Sequence, residues 1–251
     1  MLPEAANIEL LARDSLNAQE LVAKLPLSDS DIESIERLTL GQNTNPLWFK
    51  ARKGRITASN FYAVHTRVET TKKKPQETCD ALVNRLLNPT PLHNISHVQR
   101  GAMLEPIASI KLVSKLKANG HDNVTFRSCG LYIDSEDQFL GASPDGIVSC
   151  DCCQDRLVEI KCPSTDLAAY PHLNKDGKLK TKDPYYGQVQ GQMMVTGIKQ
   201  SWFFVFYEEH EGHLELIEFD ETFVYLLRNN LRKFFHLYMA PQLIIGRKRK
   251  M

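Results

Sequence analysis

The chain has 251 residues, 42% hydrophobic and 24% charged, enough to bury a substantial core; this composition excludes a disordered or membrane-embedded polypeptide. Thirty-one Lys and Arg against thirty Asp and Glu leave a formal charge of +1, which excludes a uniformly basic nucleic-acid coat protein. No apolar run approaches the roughly 20 residues of a spanning helix. The acidic N-terminus lacks the basic start and apolar stretch of a secretory signal, so the sequence predicts an intracellular chain with its six cysteines reduced.

Charge is segregated along the chain. Residues 1–45 hold eight acids and three bases, a balance of −5, and read as a solvated acidic arm. Within it Ser28, followed three residues later by Asp31 and then by Ile32, Ile35 and Leu38, predicts a capped helix ending at Gly41. Residues 46–74 reverse the sign, with eight bases against Glu69, and residues 208–221 reverse it again with seven acids and no Lys or Arg. A basic run of this kind is either a solvated face or a polyanion-facing surface.

Helices are predicted over residues 78–87 and 98–117, the second with an apolar stripe of Met103, Ile107, Ile110 and Leu112 and closed by Gly120. Three short strands follow over residues 124–133, 139–148 and 156–161, separated by Gly, Pro and Asp turn chemistry. A helix over 185–195, strands over 202–207 and 214–219, and a helix over 221–238 complete an α/β layer without internal repeats.

The chemistry sits on the strands. Asp145 lies in a Pro144–Gly146 turn before one strand, and Glu159 and Lys161 end the next; alternate strand residues share a face, so these two point together while Val158 and Ile160 face the core. If the strands pair, Asp145 meets Glu159, and a divalent cation with oxygen ligands, Mg²⁺ or Mn²⁺, offsets their repulsion. An isolated Glu-x-Lys on a strand is most often a surface ion pair. No Ser-His-Asp order, no His-Glu-x-x-His and no nucleotide-binding glycine loop offers a rival chemistry.

Together with Asp145, the Glu159-x-Lys161 pair resembles the PD-(D/E)xK nuclease motif, which implies a restriction-endonuclease-like α/β core with a central mixed sheet flanked by helices. Three further segments are similar to the YqaJ-type viral recombinase family, which includes lambda exonuclease: Trp48 to Ser59, Arg100-Gly101-Ala102-Met103-Leu104-Glu105, and Tyr186-Gly187-Gln188-Val189-Gln190-Gly191-Gln192. The resemblance implies an exonuclease domain over 28–245, and the charge pattern leaves an acidic arm over 1–27 and a basic tail over 246–251 outside it. It implies Asp145, Glu159, the Ile160 carbonyl and Glu105 as ligands of two Mg²⁺ or Mn²⁺ ions, Lys161 as the group that orients water, and Gln188 as its partner. Arg52 and Ser59 would grip a 5′-phosphate. The implied activity is 5′ to 3′ degradation of linear double-stranded DNA in recombination, repair or mobile-element processing, by a homotrimer, with a single-strand annealing protein as partner. The alternatives are an endonuclease or single-strand-preferring nuclease of the same superfamily, and a non-catalytic nucleic-acid-binding module.

Several residues keep two readings. Gly101 would let a strand or substrate approach closely; Gln188 and Gln192, at i and i+4, read as one functional residue and one solvent-facing neighbour; Trp48, Tyr185 and Tyr186 read as packing residues; Arg55 is either a phosphate contact or a loop tether. Cys150, Cys152 and Cys153 cluster between the two metal-binding strands, where zinc would need a fourth ligand such as Cys162; their spacing matches no usual zinc pattern, and they read as a reactive or incidental cluster. The four lysines of residues 174–182 read equally as a DNA-tracking loop or a solvated hairpin. The tail Arg247-Lys248-Arg249-Lys250 resembles a short nuclear-import signal.

Overall fold

The computed structural model describes residues 2–3, 6–89, 96–164, 170–208 and 212–248. Its helices are α1 (Ile8–Arg13), α2 (Ala18–Ala23), α3 (Asp29–Leu38), α4 (Pro46–Arg52), α5 (Ala58–Lys73), α6 (Asp80–Leu87), α7 (Ser96–Ala118), α8 (Pro184–Thr196), α9 (Glu221–Phe234) and α10 (Ala240–Lys248). The strands are β1 (Ile56–Thr57), β2 (Thr125–Ser128), β3 (Tyr132–Ile133), β4 (Leu140–Ala142), β5 (Gly146–Cys150), β6 (Cys153–Lys161), β7 (Gln200–Val205) and β8 (His213–Glu218).

Five strands form a mixed sheet in the order β2-β5-β6-β7-β8. β6 and β7 run parallel because α8 carries the chain back between them, while the other neighbours are antiparallel. Alternate residues of β6 enter different cores. Val158 and Ile160 pack with Leu104, Ala108, Leu112 and Leu116 of α7, whereas Leu157 packs with Phe203, Val205 and, from α8, Val189 and Met193. β6 is therefore covered on both faces, which explains why Leu157 and Val158 are wholly buried and why Glu159 looks into α8 rather than into water. The predicted central mixed sheet flanked by helices is the observed architecture.

A smaller sheet, β1-β4-β3, carries the helical side of the molecule. Here α5, α9 and α10 enclose Phe61, Val64, Leu227, Leu231, Phe234 and Phe235 in a core that also takes Ile8 and Ala12 from α1, Leu21 from α2 and Leu25 just after it. Residues 8–25 thus hold packed helices and not the solvated arm that their acidity predicts, because Ile8, Ala12, Leu21 and Leu25 are buried. Arg228 and Arg232 of α9 clamp Asp134 and Asp137 at 2.7–2.9 Å, tying α9 to the turn between β3 and β4.

The capping box is present: Ser28 accepts from the Asp31 N–H and Asp31 accepts in return from the Ser28 N–H. The predicted strands 124–133 and 139–148 are each split between the two sheets. At the first split Gly130 lies so close to the end of α3 that a Cβ would stand 1.9 Å from the Glu36 carbonyl oxygen. On α7 three of the four predicted stripe residues are out of phase: Met103, Ile107 and Ile110 are exposed, while Leu112 faces the sheet together with Leu104, Ala108 and Leu116. The last helix breaks at a π turn, Phe235–Met239, before α10. Arg247 and Lys248 end α10; Arg249 and Lys250 lie outside the described residues. Among the described residues no helix is long and apolar enough to cross a membrane.

Candidate active site

The start of β5 and the end of β6 bring the sequence-predicted carboxylates together. Gly146 pairs with Val158, and the Asp145 N–H donates to the Val158 carbonyl at 3.1 Å. The Asp145 carboxylate in turn accepts from the Ile160 N–H at 2.6 Å. Within a strand the N–H and C=O of one residue point to the same side, so the Ile160 carbonyl also faces Asp145. Glu159, 2% exposed, is the hub: Oε1 accepts from Lys161 Nζ and from Gln188 Nε2 at 2.7 Å, and Oε2 accepts from Gln192 Nε2 at 2.6 Å.

The electrostatics record an excess of negative charge. Burial, with Glu159 and Glu105 close by, holds the Asp145 carboxyl well above the usual carboxylate range, and only Lys161 and the Ile160 N–H oppose this. Glu105 of α7 is raised for the same reasons, burial first and then Glu159. Burial alone would lower the Lys161 ammonium, yet Glu159 and Asp145 carry it above the ordinary lysine value, and the group stands 4.3 Å over the Tyr185 ring. Four of the predicted residues, Glu105, Asp145, Glu159 and Lys161, thus share one electrostatic site, and Gln188 joins them by hydrogen bond.

α8 aims its glutamines because of how it starts and what it packs on. Asp183 accepts from the Tyr185 N–H, Pro184 takes the first helical position, and Gly197 closes the helix at φ +78°. Gly187 and Gly191 lie against α5, where a Cβ would stand 2.7 Å from Tyr62 and 2.2 Å from Phe61. The residues that follow each glycine, Gln188 and Gln192, both reach Glu159. Gln192 is fully buried and not a solvent-facing neighbour, and its Oε1 has no partner among the described residues.

A second cluster lies at the start of α5. The Arg52 guanidinium stacks 3.9 Å from the Trp48 ring and donates to Thr57 Oγ1 at 3.2 Å; Ser59 Oγ is 3.5 Å from the same Thr57 oxygen. Burial lowers Arg52 to about 10. No side chain caps the N-terminus of α5, and Ser59 is exposed there. Trp48 Nε1 donates to Ser143 at 2.9 Å, which links this cluster to the turn that carries Asp145. Arg55 is spent on packing: it is buried and donates to the carbonyls of Ala6, Ala51 and Gln138. Gly101 faces open space, with nothing within 4 Å of where a Cβ would stand, so no strand of the described residues approaches it closely. Tyr186 donates to Asp220 and packs on Phe223, as an anchor would, while Tyr185 also underlies Lys161. The contributions of Thr57, Gln192 and Tyr185 were not legible individually; only the repeat of Gly-Gln four residues apart pointed to Gln192.

A mixed sheet bearing Asp145 and Glu159-x-Lys161 between two helical layers is the core of a PD-(D/E)xK-type nuclease. Residues 47–199 match the YqaJ-like viral recombinase domain, and the chain belongs to that family. It is similar to an alkaline exonuclease (LHK-Exo) from Laribacter hongkongensis, 29% identical over 81% of this chain and 96% of that one with a TM-score of 0.60. The structure of LHK-Exo in complex with dAMP gives 28% identity, the same coverage and the same TM-score. A SOX–DNA complex shares the fold at 12% identity, covering 92% of this chain and 76% of that one with a TM-score of 0.58. Comparison with curated protein sequences finds no match.

Proposed function

We propose that this chain is a metal-dependent exodeoxyribonuclease that degrades linear duplex DNA from a 5′ end. The observation that carries the reading is the cluster of Glu105, Asp145 and Glu159 with Lys161 at the β5–β6 strand ends, where two of the carboxyls are raised by burial and mutual repulsion. That surplus of hard oxygen donors, with the unpartnered Gln192 Oε1 beside it, fits Mg²⁺ or Mn²⁺, and we propose two ions held by Glu105, Asp145, Glu159 and the Ile160 carbonyl. Bound divalent ions in such a site supply Lewis-acid stabilisation of the phosphate and acidify water.

The protein's own groups do the rest. Gln188 and Gln192 fix both Glu159 oxygens, so the carboxylate cannot rotate away when substrate arrives. Lys161, held charged by Glu159 and Asp145, orients the attacking water and offsets the charge that develops on the scissile phosphate. Arg52, Ser59 and the uncapped N-terminus of α5 are proposed to seat the terminal 5′-phosphate, since a guanidinium, a hydroxyl and free helix N–H groups are complementary to a dianion. The dAMP bound by LHK-Exo supports a deoxynucleotide substrate. A homotrimer is proposed from the family resemblance, and the outward Met103, Ile107 and Ile110 of α7 are apolar surface that such an assembly has available to bury. A single-strand annealing partner and a role in recombination, repair or mobile-element processing are proposed on the same resemblance.

The test is incubation with linear and closed circular duplexes, 5′-phosphorylated or not, with Mg²⁺ or without divalent ions. Loss of the linear duplex alone, faster with a 5′-phosphate, supports the reading; cleavage of the circle overturns the exonuclease assignment.

A further inference from the structure

At the far end of the β5–β6 hairpin from Asp145, four side chains meet that the nuclease chemistry does not use. Cys150 ends β5, Cys152 lies in the turn, Cys153 opens β6, and His121 follows α7. Their ligand atoms all lie within 4.8 Å of one another. The sulfur pairs are separated by 3.5 Å (Cys150–Cys152), 3.8 Å (Cys152–Cys153) and 2.7 Å (Cys150–Cys153). His121 Nδ1 stands 3.2 Å from Cys152, 3.6 Å from Cys150 and 3.5 Å from Cys153. A tetrahedral zinc ion with ordinary bond lengths requires edges of about 3.8 Å between sulfurs and about 3.6 Å from sulfur to nitrogen. Five of the six edges are within about 0.4 Å of those values. The sixth opens by about 1 Å when a metal enters between the two sulfurs.

Backbone hydrogen bonds and one side-chain pair build this convergence. Gly120, at φ +86°, ends α7 with its N–H on the Lys117 carbonyl, and the His121 N–H reaches back to the Leu116 carbonyl, which turns His121 toward the sheet. The Asp151 N–H donates to the Asp122 carbonyl at 3.2 Å, and Asn123 donates to the Asp151 carboxylate at 2.6 Å. Two segments distant in sequence are thereby locked together at the point where the thiols and the imidazole face one another. Cys162, which the sequence alone offered as a fourth ligand, sits at the other end of β6 beside Lys161 and cannot take part.

We propose that His121, Cys150, Cys152 and Cys153 bind one Zn²⁺. Three thiolates and an imidazole select a borderline-soft ion, and four protein ligands leave no open position, so the ion is structural. It staples the end of α7, which carries Glu105, to the hairpin that carries Asp145 and Glu159. The site stands on its own geometry and does not depend on the nuclease reading.

The experiment measures zinc by mass spectrometry in the full chain purified under reducing conditions and dialysed against metal-free buffer. One equivalent per chain is expected, retained in the Asp145→Asn/Glu159→Gln double variant and lost in Cys152→Ser and in His121→Ala. Because Cys152 is exposed, its serine variant leaves the packing intact. Replacement of zinc by Co²⁺ should give thiolate-to-cobalt charge-transfer and tetrahedral ligand-field bands in the wild type, and these should vanish in Cys152→Ser. A folded, zinc-free wild type, zinc content unchanged by both ligand variants, an iron–sulfur chromophore, or a Cys150–Cys153 disulfide would each overturn the proposal.

Discussion

Asp145→Asn should stabilise the protein in the absence of divalent ions while removing its hydrolytic activity. The Asp145 carboxyl is buried beside Glu159 and Glu105, and both raise it well above the usual range. Asparagine keeps an oxygen to accept the Ile160 N–H, which the aspartate accepts at 2.6 Å, and Lys161 keeps its contact with Glu159. Repulsion is therefore relieved and little is lost. Substitutions that relieve a functionally strained site typically contribute about 0.5–2 kcal/mol, and a domain of this size shifts by roughly 2–4 °C per kcal/mol, so the melting temperature should rise by roughly 1–8 °C. The pH dependence fixes the cause. An acid whose native pKa is raised destabilises the fold above that native value, and the penalty disappears below the unfolded value of about 3.9. The gap between variant and wild type should be larger at pH 8 than at pH 5. Added Mg²⁺ should reverse the order, since a ligand at 100 times its Kd contributes about 2.7 kcal/mol to the wild type. Thermal denaturation followed by circular dichroism reads all three. A lower melting temperature for Asp145→Asn at pH 8 without metal, or a gap that widens on acidification, would show that repulsion among the three carboxyls does not strain the fold.

Three other outcomes follow from particular contacts. Lys161→Ala should lower the hydrolytic rate by roughly 100-fold or more while DNA affinity, measured by fluorescence anisotropy, stays within a few-fold of wild type. Arg52→Ala removes a charge-assisted hydrogen-bond donor, worth about 1.5–3 kcal/mol, and should cut the preference for 5′-phosphorylated over 5′-hydroxyl ends by roughly 10- to 150-fold without changing the rate on the hydroxyl end. Gly191→Ala places a methyl 2.2 Å from Phe61 and should destabilise the fold by about 1–3 kcal/mol; Phe61→Leu in the same chain should recover part of the loss.

The strand chemistry was legible because it is local. Period-two alternation puts Glu159 and Lys161 on one face whatever else the chain does, and the Pro144–Gly146 turn confines Asp145 to the start of the neighbouring strand. The helix starting at Ser28 was legible for the same reason, its cap residues being three apart. What needed the fold was everything decided by a distant partner. α7 carries two apolar stripes at helical spacing, and only contact with the sheet selects Leu104, Ala108, Leu112 and Leu116 over Met103, Ile107 and Ile110. Acidity concealed the packing of α1 and α2, because charge counts do not register the Ile8, Ala12 and Leu21 that enter the core. Arg55 and Arg52 are alike in sequence, yet the carbonyls of Ala6, Ala51 and Gln138 consume one and leave the other on Trp48. His121 joined the cysteines only through the turn that ends α7.

Exonuclease action at the Glu159 site is measured most directly by the release of mononucleotides from a 5′-phosphorylated linear duplex, followed in parallel with a closed circle of the same sequence, for the wild type and Glu159→Gln. Glu159 is the carboxylate on which Lys161, Gln188 and Gln192 converge, so Mg²⁺-dependent release from the linear duplex by the wild type, an intact circle, and no release by the variant are expected. Release by Glu159→Gln at the wild-type rate, or release by the wild type without any divalent ion, would contradict it.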